Sequence, residues 1–244
     1  MKINWKDWKD ALIDIFFPGE CPICEKGAYL DDEAFACLSC LDQLAWINGS
    51  RCKVCGESMP IPVSIELTCS ECRLHPPLFK AGRSLFKLDD RGRALIHSVK
   101  YDGEKRVLAD ARHWIQRCDG FMSFIRNAVL IPVPLHRKKI RKRGFNQSLW
   151  IASEFAKVAG GRTVVNDCLE RVRNTQSQTK LGKSERRMNV KNAFALKPGS
   201  CLGGFDEFVL VDDVFTTGST LDACACTLLK AGYQNVKVAT MGRG

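Results

Sequence analysis

Near the C-terminus of this 244-residue chain two adjacent acids, Asp212 and Asp213, follow the apolar run Val209-Leu210-Val211 and precede Val214-Phe215-Thr216-Thr217-Gly218-Ser219-Thr220. Paired carboxylates beside a small-hydroxyl loop suit a ribose that carries a 5′-phosphate, because the acids accept from vicinal hydroxyls while the loop receives the dianion. Backbone N–H groups from Thr216 to Thr220, the hydroxyls of Thr216, Thr217, Ser219 and Thr220, and the positive end of a helix starting near Ser219 all favour that charge. Gly218 admits close backbone approach. A strand ending at Asp212 sets both acids at the carboxyl edge of a parallel sheet, where open α/β sheets hold ligands. Asp-Asp pairs and Thr/Ser-rich turns also serve as plain helix entries. The uninterrupted order of strand, double acid, hydroxyl loop and helix favours the ligand site.

Eight of the thirteen cysteines form a second reactive set. They make four Cys-x-x-Cys pairs, Cys21/Cys24, Cys37/Cys40, Cys52/Cys55 and Cys69/Cys72, separated by twelve, eleven and thirteen residues. Knuckles of this spacing each supply two thiolates to tetrahedral Zn²⁺, so two Cys₄ sites are expected, with sequential and interleaved pairing both open. Disulfides are the alternative; a cytoplasmic chain is kept reduced, which favours metal. Four thiolates leave no open position, which makes such ions structural. Cys118, Cys168, Cys201, Cys224 and Cys226 lack ligand spacing and read as small buried or incidental residues.

Charge divides the chain in the same place. Residues 1–80 hold 8 Lys+Arg against 12 Asp+Glu, whereas residues 81–244 hold 29 against 15. Any anion is therefore bound in the C-terminal part, and the ribbon region is a poor nucleic-acid grip. Much of the positive charge lies in His136-Arg137-Lys138-Lys139-Ile140-Arg141-Lys142-Arg143 and in the polar stretch from Arg171 to Lys191, which reads as a loop able to cover a diphosphate. Aromatic residues near these runs are few, Phe145 and Trp150 beside the first. A stacking platform for single-stranded DNA is thus weakly supported, although the net charge keeps a DNA-binding adaptor as the second reading.

The elements that must position these groups alternate in α/β order. Strands are expected at Arg83–Phe86, Val129–Val133, Thr163–Val165, Ala193–Leu196, Phe208–Val211 and Val236–Thr240, forming a parallel core. Helical patterns run through Leu95, Ile96 and Val99, through Val107, Leu108, Ala111 and Ile115, near Ser148–Ala159, and near Ser219–Lys230 with Gly232 as its stop. The expected division is an N-terminal helix and double zinc ribbon at residues 1–80 and a ligand-binding domain at 81–244. The stripe Trp5, Trp8, Leu12, Ile15 and Phe16 has helical spacing and suits packing on the chain's own surface. No apolar run approaches the roughly 20 residues of a membrane span, and the first residues do not read as a secretory signal; a cytoplasmic location is expected.

The knuckle Phe17-Pro18-Gly19-Glu20-Cys21-Pro22-Ile23-Cys24, the segments Ile131-Pro132-Val133-Pro134-Leu135 and Arg143-Gly144-Phe145-Asn146-Gln147, then Gln178-Thr179-x-Leu181 with Arg186-x-x-Asn189-Val190, and finally the double acid together resemble the ComF family. The double-acid segment resembles the phosphoribosyl diphosphate (PRPP) motif of type I phosphoribosyltransferases. The resemblance covers essentially the whole chain and implies a zinc ribbon joined to a type I phosphoribosyltransferase fold, with a link to competence for DNA uptake. It implies PRPP with Mg²⁺ as ligand and an unidentified nitrogen acceptor. Val211, Asp212, Asp213 and Thr216 to Thr220 would then bind PRPP, with Pro134, His136 and Arg137 facing the diphosphate and Arg186 and Arg187 covering it. Phe145, Asn146 and Gln147 are candidates to touch the acceptor, Asn146 being equally a helix N-cap. Lys100 and Tyr101 look like a further family feature with no role derivable from the residues. Single-stranded DNA and DNA-uptake proteins are the partners expected under the adaptor reading; a PRPP-sensing regulator without turnover is a third.

Overall fold

A computed structural model describes residues 20–26, 35–59, 67–102, 105–173, 190 and 192–244. Its described strands are β1 (Ala81–Lys87), β2 (Val129–Pro132), β3 (Val164–Val165), β4 (Leu169–Arg171), β5 (Phe194–Leu196), β6 (Phe208–Phe215) and β7 (Val236–Arg243). Five of them form a sheet in the order β1-β7-β6-β2-β3, every pair parallel. The apolar runs of β2 and the first half of β6 are buried throughout, as expected of strands covered on both faces. With the flanking helices and the N-terminal ribbons this is the expected α/β phosphoribosyltransferase-like architecture.

Two strand expectations are corrected. Strand β6 does not stop at Asp212: it continues to Phe215 because β7 runs on to Arg243, so that Val214 pairs with Gly242 and Phe215 with Arg243. On its other side β6 loses its partner at Val211, opposite Pro132 of β2. The acids thus sit inside a strand on one side and at an open edge on the other. Residues Ala193–Leu196 do not join the parallel core; β5 pairs antiparallel with β4 in a separate ribbon.

The described helices are α1 (Leu38–Asp42), α2 (Ser70–Leu74), α3 (Asp90–His97), α4 (Ala111–Gln116), α5 (Phe121–Ile125), α6 (Arg137–Arg143), α7 (Gln147–Ala159) and α8 (Ser219–Lys230). A π-helical turn, Ser98–Asp102, prolongs α3. The fully buried rings of Trp114, Phe121 and Phe155 fill the face covered by α4, α5 and α7, each contributing about 2–3 kcal/mol by leaving water. On the opposite face α8 lies against β6 and ends in a Schellman turn, with Gly232 N–H donating to the Leu229 carbonyl and Tyr233 N–H to that of Leu228.

The segment joining the two ribbons runs along the sheet's outer edge. Ile47 N–H donates to the Leu85 carbonyl (2.9 Å), Lys87 N–H to that of Ala45 (2.8 Å), and Trp46 meets the Phe86 ring edge-on at 6.0 Å. This strap puts one ribbon on each face. Cys21 and Cys40 share a core with Leu41, Leu44, Trp114 and Phe155, whereas Cys52, Cys55 and Cys72 share the other with Phe79, Leu210, Phe215 and Leu228. The first ribbon is tied down by buried Asp110, whose carboxylate accepts from the N–H groups of Phe35 (3.0 and 3.2 Å) and Ala36 (3.0 Å). The second docks through Gly56, where a side chain would collide with the Gly82 carbonyl of β1.

Among the described residues no helix is long and apolar enough to cross a membrane. The stripe from Trp5 to Phe16 lies outside them.

Candidate functional site

From β2 the chain passes to β3 on one side, while β6 pairs on the other, so the sheet's direction of winding reverses between β2 and β6. Crevices at such reversals are where parallel sheets bind ligands. Asp212 and Asp213 occupy this position. Ser148 Oγ donates to Asp212 Oδ1 at 2.8 Å, and the same oxygen accepts the Asp213 N–H at 2.9 Å. Asp213 Oδ2 pairs with Lys100 Nζ at 2.7 Å and receives Gln147 Nε2 at 3.5 Å. Gln147 is itself oriented by Arg143, whose Nη1 donates to Gln147 Oε1 at 2.6 Å.

Helix α7 aims Gln147 and Ser148 because its start is held twice. Asn146 Oδ1 caps the Ser148 N–H at 3.2 Å while its Nδ2 donates to the Val133 carbonyl at 3.2 Å, fixing the helix to the turn after β2. Phe145, just ahead of the cap, stacks on Trp150 with centroids 3.8 Å apart and planes 7° from parallel. These are the flanking positions of a hydrophobic staple. Of the three acceptor candidates, Asn146 and Phe145 therefore build the helix entry and Gln147 reaches the acids.

Electrostatics at this edge are those of a crowded cation field around two carboxylates. Burial pushes the Asp212 carboxyl up to about 6, against the opposing pull of the Ser148 hydroxyl and the charges of Lys100, Arg171 and Arg143. Lys100 is held below its usual range by burial, with Asp212 opposing and Arg143 and Lys139 reinforcing the shift. Lys139 is lowered by burial and then by the repulsion of Arg171 and Arg143. An anion placed among Lys139, Arg143 and Arg171 would relieve that repulsion.

Pro134 is buried in this turn. His136 caps α6 by accepting the Lys138 N–H on Nδ1 (3.2 Å), and Arg137 is exposed beside it. Desolvation, Arg171 and then Lys138, Arg137 and Lys139 at the start of α6 hold His136 below the usual imidazole range. On the other side of the acids the hydroxyl loop opens α8 from Gly218, whose φ of +73° is the left-handed form. A Cβ there would approach the Phe215 ring to 2.8 Å, so glycine is required on two counts. Thr217 Oγ1 and Ser219 Oγ bond each other at 2.8 Å within the loop. Next to it lies a cavity of about 1160 Å³, lined by the second ribbon, Phe79, α8 and Thr216 to Ser219.

Pairing of the cysteines is sequential. The sulfurs of Cys21, Cys24, Cys37 and Cys40 lie within 4.8 Å of one another, as do those of Cys52, Cys55, Cys69 and Cys72. In the second site the N–H groups of Cys69 (3.3 Å) and Cys55 (3.5 Å) point at Cys52 Sγ; in the first, Cys37 N–H points at Cys21 Sγ at 3.4 Å. Four converging sulfurs supported by N–H donors fit a closed tetrahedral Zn²⁺ site.

Arg186 and Arg187 lie outside the described residues. Sequence reasoning singled out Lys100 without a role and named Ser148 only as a helix start; both hold the acids. Arg143 and Lys139 stood in a basic run whose helical phase alone does not say which cations face inward.

A double zinc ribbon domain model matches residues 12–73. The chain is 30% identical over 221 residues to the DNA utilization protein YhgH of Salmonella typhimurium, covering 83% of this chain and 94% of that protein. It is 27% identical over 209 residues to the competence protein ComFC of Bacillus subtilis, covering 80% and 78%. Over 114 residues it is 34% identical to competence protein F of Haemophilus influenzae, 47% of this chain and 49% of that one.

Proposed function

This chain belongs to the ComF family, and from that premise we propose that its C-terminal part binds PRPP with Mg²⁺ and transfers the phosphoribosyl group to a nitrogen acceptor. We place its cellular role in competence and DNA utilization, the processes its relatives are named for. The observation that carries the chemistry is the pair Asp212 and Asp213, held by Ser148, Gln147 and Lys100 between a hydroxyl loop and a cation cluster.

In this reading the 5′-phosphate rests on Thr216 to Thr220 and the ribose hydroxyls donate to the two acids. The diphosphate lies against the turn from Pro134 to Arg137, within the field of Lys139, Arg143 and Arg171; the family resemblance adds Arg186 and Arg187 as its cover. The bond from C1 to the diphosphate oxygen breaks with its electron pair leaving on diphosphate, the acceptor nitrogen bonds to C1, and its surplus proton passes to solvent. Positioning and charge neutralisation supply most of the rate. Mg²⁺ bound with the ligand would supply positive charge against the diphosphate, and an edge presenting carboxylates and cations together fits a ligand of that mixed charge. Asp212 and Asp213 are the residues that would hold the ribose beside it.

The test is calorimetric titration of zinc-loaded protein with PRPP and Mg²⁺, beside the Asp212→Asn/Asp213→Asn variant. Binding that vanishes in the variant supports the site, and a screen of nitrogen acceptors for diphosphate release then tests turnover. Binding without release under every acceptor points to a PRPP-sensing regulator. No binding by folded wild type sinks the reading. A second reading, a non-catalytic adaptor for single-stranded DNA, is favoured by the positive balance of residues 81–244 and by the names of the relatives. It requires salt-sensitive, sequence-tolerant binding of an oligonucleotide in anisotropy measurements.

A further inference from the structure

Arg243, the penultimate residue, is buried, and every group of its guanidinium is engaged. Nη2 donates to Cys55 Sγ at 3.2 Å, Nη1 to the Cys55 carbonyl at 2.7 Å, and Nε to Glu57 Oε2 at 2.5 Å. All three acceptors belong to one knuckle of the second zinc site. The flat face of the same group lies 4.2 Å from the centroid of the Phe215 ring. Phe215 is the last residue of β6, directly ahead of the hydroxyl loop; its ring is the wall against which Gly218 packs, its edge is met by Phe79 at 6.0 Å, and its carbonyl accepts the Gly244 N–H at 3.0 Å. A continuous series of contacts therefore runs from a zinc thiolate through a guanidinium and an aromatic ring to the backbone of the loop.

We infer that Arg243 is a positioning residue that couples zinc at Cys52, Cys55, Cys69 and Cys72 to the phosphate affinity of the loop from Thr216 to Thr220. The coupling rests on the reading of that loop as a phosphate site. Zinc holds Cys55 as a thiolate, and a Cys₄ site carries net negative charge, so the bond from Nη2 is charge-assisted and strongest when the metal is bound. The guanidinium so fixed presents a rigid face to Phe215, which sets the position of Gly218 and hence the direction of the N–H groups at the start of α8. Without the metal the anchor weakens at its sulfur end, and the ring loses the group that fixes its angle. Arg243→Lys keeps a charge but loses both the fork and the stack, and is not a conservative change here. Among the described residues the first zinc site shows no such connection: Asp110 holds its ribbon through the N–H groups of Phe35 and Ala36, and Cys21 and Cys40 pack in the core on the other side of the sheet.

Because coupling is reciprocal, bound ligand must tighten the second site's hold on zinc, and with the anchor closed over Cys55 that tightening is expected as slower loss to a chelator. The experiment measures zinc release to a colorimetric chelator from wild-type protein, with and without PRPP and Mg²⁺, and PRPP affinity by calorimetry. Two release phases are expected, one of them slowed by PRPP; Cys69→Ser deletes that phase and so assigns it to the second site. In Arg243→Ala and Arg243→Lys the second-site phase is about 10-fold faster or more, the usual effect of removing an outer-shell partner, while the first-site phase is unchanged. Phe215→Leu removes the stack but keeps the bonds from Arg243 to Cys55 and Glu57, so it speeds ligand-free release from the second site less than Arg243→Ala does, while losing both PRPP affinity and the PRPP effect on release. Wild-type protein that binds PRPP with no change in either release phase overturns the coupling and leaves the phosphoribosyl reading intact. Wild-type protein that does not bind PRPP overturns both.

Discussion

The two zinc ribbons have nearly the same spacing of cysteines and both turn backbone N–H groups toward their first sulfur, yet they are held by opposite chemistry. The first is caught by a carboxylate, Asp110, gripping two backbone N–H groups from the helix-covered face. The second is caught by a guanidinium, Arg243, gripping a backbone carbonyl, a carboxylate and a thiolate at the end of β7. The strap Ala45–Ile47 explains how one motif comes to serve two surroundings, since it carries the chain around the edge of the sheet. One ribbon thus packs over the helical core, and its twin packs beside the hydroxyl loop from Thr216 to Ser219. Identical metal chemistry does not give identical consequences: what a structural zinc affects is decided by the first side chain outside its ligand shell.

The largest contrast is expected on removing one metal at a time. Cys24→Ser and Cys69→Ser, both at half-buried ligands, should each lose one equivalent of zinc and lower the melting temperature, since a structural Cys₄ site contributes on the order of 10 kcal/mol to folding its own ribbon. Only Cys69→Ser should also abolish PRPP binding. Equal loss of binding in both variants would show that the ribbons act as one unit and dissolve the distinction drawn between them.

Next in size is the carboxylate anchor. Asp110→Ala leaves the N–H groups of Phe35 and Ala36 without their acceptor in a buried setting, a cost of about 3 kcal/mol in urea unfolding. First-site zinc should leave faster, with second-site release and PRPP affinity unchanged. An effect on PRPP affinity comparable to that of Arg243→Ala would mean that the helical face reaches the loop by a route the contacts do not suggest.

The residues that separate the two ribbons were the hardest to read in the sequence. The cysteine pairs, the double acid and the hydroxyl loop were legible because their chemistry lies in contiguous residues, and α8 begins and ends as its pattern indicates. Asp110 and Arg243 were not, because each acts on a knuckle far away in the chain and neither stands in a motif. Lys100 was visible yet without a role, its partner Asp213 lying on a different element brought near only by the π-helical turn after α3. The continuation of β6 to Phe215 is not legible in the sequence because acids read as strand terminators; the length of β7 overrides that local preference by offering partners as far as Arg243. Pairing of β5 with β4 is likewise a tertiary fact, since a short apolar run carries no sign of which strand it joins.

Smaller effects are expected from two desolvated carboxyls, Asp110 beneath the first ribbon and Asp212 at the sheet edge beside the second. Burial raises both Asp110 and Asp212, the latter to about 6. A raised carboxyl binds its proton more tightly in the folded than in the unfolded chain, so its contribution to stability is fully present at low pH and is lost as pH rises through the folded value. Between pH 7 and pH 5.5, compared at equal zinc content, Asp212 should make wild-type protein about 1 kcal/mol more stable on acidification, for a folded value near 6 and an unfolded value near 3.9. Urea titrations of Asp212→Asn should lack that increment. Should wild type and Asp212→Asn show the same pH slope, the acid at the ligand edge is not desolvated as its surroundings imply.

The smallest expected change separates structure from contact with an acceptor at the entry of α7. If the stack of Phe145 on Trp150 is a staple, Phe145→Leu removes an aromatic pair worth about 1 kcal/mol and lowers stability by roughly that amount. PRPP affinity should then be unchanged, because Asn146 still caps the helix and Gln147 and Ser148 still reach the acids. If instead Phe145 touches the acceptor, stability shifts little while kcat/KM for an acceptor found in the screen falls, with the affinity for PRPP kept. The two readings move different observables, so one variant separates them. A fall in all three would mean that the staple itself aims the acids, and would extend the positioning role given to Arg243 on one side of the site to the helix entry on the other.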